Sequence, residues 1–132
     1  MKKMRRTRNK GCVRPGAVPT KEVGGMIRRI IDVAGVNSST LANACVMAES
    51  QVARLGRHRM GCVRNETLIP IKRVERLVKA ASEALPAGGV SDWLNTPNPY
   101  LDDIPPILHA RSEEELAKSL SLLASLQYGF PA

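Results

Sequence analysis

Apolar residues along this chain recur at offsets of three and four, and no stretch shows convincing alternation at two. That spacing lines up side chains on one face of a helix and supplies no half-buried strand, so the expected fold class is all-α. Between residues 20 and 34, Val23, Ile27, Ile30, Ile31 and Ala34 share a face. Gly24 and Gly25 weaken the first turn of that helix, and Gly35 suits its end. Asn37, Ser38 and Ser39 then offer N-cap chemistry. Residues 40–55 read as helix, tight turn, helix, with Leu41, Ala42, Val46, Val52 and Leu55 on the inner faces.

Residues 56–69 hold two glycines and several bases and read as a loop. Pro70 suits a first helical position, and Ile71, Val74, Leu77, Val78, Ala81 and Leu85 give a clean amphipathic helix after it. Pro86 with Gly88 and Gly89 ends that helix. A short turn of helix follows over 90–95. The run Thr96-Pro97-Asn98-Pro99 cannot lie inside a helix, and Pro105-Pro106 starts one more turn. Ser112 and Glu115 form a capping box for a last helix striped by Leu116, Leu120, Leu123 and Gln127. Gly129 stops it.

Charge divides the chain. Residues 1–80 hold 18 Lys and Arg against five acids, net +13; residues 81–132 hold two against seven, net −5; together they make the +8 of the whole. One half is thus suited to a polyanion and the other to a different task. All four aromatic residues (Trp93, Tyr100, Tyr128 and Phe130) lie after residue 92. The basic half therefore has no ring on which to stack an unpaired base. Double-stranded DNA, held through phosphates and read in a groove, fits it better. Residues 1–14 carry seven bases and no acid. They form either an arm along the duplex or a solvated tail.

Three cysteines, Cys12, Cys45 and Cys62, lack the close spacing of a zinc knuckle, and His58 and His109 add no cluster. No metal and no cofactor are expected, and free thiols in a cytoplasmic protein are the plain reading. No apolar run reaches membrane-spanning length. The chain has no nucleophile–base pairing and no Gly-rich phosphate loop, so it is not expected to be an enzyme.

If the second helix of residues 40–55 enters a major groove, its first turns meet base edges. Those positions are Glu49, Ser50, Gln51 and Arg54, with Arg57 and Arg59 following. Gln51 can bond both edges of adenine, and Arg54 can bond guanine or a phosphate. The stretch TLANACVMAESQVARL resembles the helix-turn-helix of Xre/Cro-type repressors. It departs from that pattern at the turn, where Cys45 stands for the usual glycine and Ala48 for the capping serine. The plainer alternative is two short packed helices without a DNA role.

The run VSDWLNTPNPYLDDIPP, residues 90–106, resembles the signature of the Xre/MbcA/ParS-like antitoxin domain. Trp93, Leu94, Pro97, Asn98 and Pro99 carry the match, with Leu101 and Pro105. A helix then leads to Tyr128-Gly129, as in that family. Where the family often has a glycine after the signature leucine, this chain has Asp102-Asp103.

The resemblance implies a type II antitoxin. Its partner would be a RES-domain toxin, an NAD-consuming enzyme, bound by the C-terminal residues Tyr128, Gly129, Phe130, Pro131 and Ala132. It also implies repression of the chain's own operon by binding its promoter, as a homodimer or larger complex. The expected organisation is a basic tail over 1–19, a DNA-binding helix-turn-helix domain over 20–68 and a small helical toxin-binding domain over 69–132. A second reading keeps the DNA binding in a phage- or plasmid-borne regulator whose C-terminal domain only mediates oligomerisation. Trp93 can serve as a core residue or an interface residue. Tyr128 and Phe130 can dock on their own domain or anchor a partner.

Overall fold

The computed structural model describes residues 16–58 and 60–128. It is all-α, as the spacing predicts, apart from one pair of two-residue strands. In chain order come β1 (Val18–Pro19), α1 (Thr20–Ala34), α2 (Ser38–Cys45), α3 (Glu49–Arg57), β2 (Cys62–Val63), α4 (Asn65–Ala84), α5 (Ala87–Asn95) and α6 (Glu113–Tyr128). Single 3-10 turns at Pro99–Leu101 and Pro106–Leu108 connect α5 to α6. The strands pair antiparallel, Val18 opposite Val63 and Pro19 opposite Cys62.

Local chemistry sets several of these boundaries where the sequence places them. Gly35 ends α1 in the left-handed region at φ 67°, and its N–H donates to the Ile31 carbonyl. The Asn37 side chain caps α2 by accepting from the Thr40 N–H at 2.8 Å. Ser112 Oγ accepts from the Glu115 N–H at 3.1 Å. The Glu115 carboxylate, however, reaches back to the Arg111 N–H rather than to that of Ser112, so the box closes one residue wide.

Other boundaries differ. The helix expected from Pro70 starts five residues earlier, at Asn65, and carries Pro70 inside it. Leu68 and Ile71 are three apart and both buried, so the apolar stripe runs straight across the proline. The Pro70 ring costs one backbone bond there, and burial on both sides offsets it. The expected loop over 56–69 shrinks accordingly and includes β2. Gly88 and Gly89 lie in the first turn of α5 instead of ending α4; Leu85 and Pro86 make that break.

A single buried cluster runs through the molecule from Val23 to Leu123. Ile27, Ile30, Leu41, Leu68, Leu77, Leu94, Ile107 and Leu116 are all fully buried in it. The boundary expected at 68/69 falls inside α4, which packs on α1 and α2 as well as on α5 and α6. The halves that differ so sharply in charge share one core. α1 and α3 approach so closely that a Cβ on Gly24 would stand 3.0 Å from the Leu55 carbonyl oxygen. Only glycine fits there without a shift.

Candidate functional site

α2 and α3 are joined by three residues, and the geometry of that turn corrects the expectation for Val46. Expected on the inner face, it caps α2 at φ 54° and is 71% exposed. The period of four from Ala42 continues into the turn, where it no longer describes a helix. Cys45 takes the buried place instead. The N–H of Met47 closes the turn on the Ala42 carbonyl at 2.9 Å, a Schellman closure. The missing glycine of the sequence pattern is expected at Cys45, but Cys45 is the last residue of α2 and the left-handed residue is Val46, one further on; a β-branched residue there costs about 1–2 kcal/mol.

α3 buries Val52 and Leu55 against α1 and α2. The opposite crest of the helix, at 100° per residue, carries Ser50 and Arg57. Glu49, Ser50, Arg54 and Arg57 are exposed and Gln51 is half-buried; Arg59 lies outside the described residues. Gln51 and Arg54 sit off the crest, on the flank facing β2. There they line a polar cleft of about 230 Å³ with Thr20, His58, Arg64 and Thr67. Sequence reasoning placed His58 and Arg64 in a loop and gave them no role. His58 caps the end of α3, and the short β pairing ties Cys62 and Val63, just before Arg64, to the start of α1.

The arginines of the described residues fall into two groups. Arg54, Arg57 and Arg64 have neither a side-chain hydrogen bond nor a carboxylate within ion-pair distance. Every other one is engaged. Arg29 pairs with Glu75 at 3.2 Å, and Arg28 donates to the Gly56 carbonyl at the end of α3. Arg73 and Arg76 share Glu113, at 3.5 and 3.1 Å. Arg111 donates to the carbonyl and side-chain oxygen of Asn43 near the end of α2, where cations suit the helix dipole. The unengaged arginines of the described residues therefore collect around α3 and the start of α4.

The signature residues are mostly structural. Leu94 is fully buried, and Trp93 packs partly buried against the core above Pro97 and Asn98. The Asn98 side chain accepts from the Tyr100 N–H at 2.9 Å and caps the 3-10 turn that Pro99 begins. Asp102 and Asp103 both adopt φ 59°. That accounts for a glycine at this place in the family pattern: the backbone turns left-handed here, and aspartate is among the few side chains that tolerate it. Asp102 also faces the buried His109, with Nε2 4.0 Å from its carboxylate.

Tyr128 is the last residue of α6 and is 82% exposed; Gly129, Phe130, Pro131 and Ala132 lie outside the described residues. Cys45 is a free, buried thiol. Burial pushes its pKa up to about 12, with the charge of Arg73 pulling the other way. Cys62, expected free, is disulfide-bonded, and Cys12 lies outside the described residues. Among the described residues no three His, Cys, Asp or Glu side chains are placed to hold a metal ion. No helix among them is long and apolar enough to cross a membrane.

No family model matches the chain, and no curated protein matches its sequence. Among solved structures, the fold is similar to that of a chain in the crystal structure of the M. tuberculosis MbcT–MbcA toxin–antitoxin complex. The TM-score is 0.64 at 19% identity, over 83% of this chain and 97% of that one. The likeness is one of fold, and it is the fold that the resemblance of residues 90–106 implies.

Proposed function

We propose that this chain is the antitoxin of a type II toxin–antitoxin pair and represses its own operon by binding duplex DNA. The carrying observation is the likeness just described, which spans nearly all of a chain from a toxin–antitoxin complex. The collection of unengaged arginines around α3 supports the DNA-binding part, because a polyanion is the partner that such a surface lacks. The partner is a RES-domain, NAD-consuming toxin, held through the exposed Tyr128 and residues 129–132 beyond it. No catalysis is assigned to the chain itself.

Co-expression with a RES-domain toxin from the adjacent gene tests the first part. Growth is expected to be rescued by the full chain and lost again when residues 128–132 are deleted. Gln51→Ala with Arg54→Ala should weaken binding to the chain's own promoter and leave the rescue intact. Equal damage to both activities by either change, in a folded protein, would rule out separate surfaces.

A further inference from the structure

We infer that the cleft between α3 and the β2–α4 corner seats a backbone phosphate of duplex DNA, leaving Ser50 and Arg57 on the crest to meet base edges. The inference rests on the DNA-binding part of the reading above and assigns the work within it. A helix entering a major groove leads with its crest, while its flanks pass the phosphate backbones at the groove's edges. Gln51 and Arg54 stand on the flank, and Arg64 lines the same cleft. Arg54 and Arg64 have no acid and no carbonyl to bind among the described residues. His58, Thr20 and Thr67 line the cleft with them. Two guanidinium groups with an imidazole and two hydroxyls around one polar hollow match a phosphodiester, which offers acceptor oxygens and one negative charge.

The cleft then fixes how the helix is set on the duplex, whatever the sequence. Discrimination falls to the crest. Gln51 and Arg54 therefore contribute affinity and register rather than base reading.

The test measures binding of the full chain to two probes: a 30-base-pair duplex pool of random sequence, and a duplex selected from that pool by the wild-type protein. Each is titrated over a range of salt. Arg64→Ala is expected to weaken both probes alike, roughly five- to ten-fold near 0.1 M salt, and to flatten the salt dependence by about one unit of slope. Arg54→Ala should behave the same way, and Arg64→Lys should keep the slope. Ser50→Ala should shrink the preference for the selected duplex and leave the slope unchanged. The inference is overturned if Arg64→Ala and Arg54→Ala leave the slope as it was, or if they alter preference more than affinity. In those outcomes the wild type still binds duplex and the broader reading stands. A wild-type chain that ignores both probes at low salt removes that broader reading, and the phosphate seat with it.

Discussion

The surface around α3 and the surface around α4 and α6 are both rich in arginine, but they use it in opposite ways. At the start of α6, Glu113 binds Arg73 and Arg76, and Arg111 binds the end of α2. Arginine there is a fastener between elements. Around α3, Arg54, Arg57 and Arg64 fasten nothing. The contrast teaches that a net charge of +13 over residues 1–80 is not one property. Among the described residues part of it is internal adhesive, and Arg54, Arg57 and Arg64 are offered outward.

The largest expected effect probes what the two sides share. Leu68→Ala removes a fully buried side chain near the start of α4 and should cost about 2–5 kcal/mol. Calorimetry should still show one transition, because α4 belongs to both sides. Two separated transitions would break the view of a common core.

The next effect is alkaline. The Cys45 thiol is raised to about 12 by burial, so the folded chain holds this proton while the unfolded chain gives it up near pH 9. Its contribution is complete below pH 9 and is lost as pH climbs toward 12, on the order of a few kcal/mol. Denaturant midpoints between pH 8 and 11 should fall for the wild type and fall less for Cys45→Ala.

Glu113→Ala comes third. It strips the shared carboxylate from Arg73, whose side chain is only 12% exposed, and from the more open Arg76. Solvent screens the Arg76 pair, so most of the loss lies at Arg73, about 1–2 kcal/mol in urea unfolding. Val46→Gly should raise stability by about 1 kcal/mol, since glycine accepts the left-handed turn without strain. Arg57→Ala is the smallest, within about 0.5 kcal/mol, because that side chain holds nothing in the fold. A loss there as large as at Glu113 would erase the distinction between the two sides.

What the sequence makes legible is local. The caps at Asn37 and Ser112, the stop at Gly35 and the helical stripes all rest on neighbours a few residues away. What it hides depends on distance or on a change of period. Val46 continues the four-residue spacing of Ala42, yet the chain has already turned. Pro70 has the look of a helix start until Leu68 is seen packing in the core before it. His58 meets Arg54 locally, as the cap of α3, but Arg64 follows a strand that is held by pairing across more than forty residues. The Arg111–Asn43 clasp crosses 68 residues, and no periodicity announces it. Of the candidate positions, the exposed ones on α3 stand where that helix was expected; the company they keep does not follow from the string.

α3 has nine residues. At 1.5 Å rise apiece it is about 13 Å long, the height of about four stacked base pairs. On the proposed reading, one chain thus inspects a word of about four letters, which recurs by chance roughly once in every 250 positions. A lone copy could grip a chromosome yet not choose an address on it. Selecting a single locus requires the same short helix to be presented twice, a fixed number of helical turns apart.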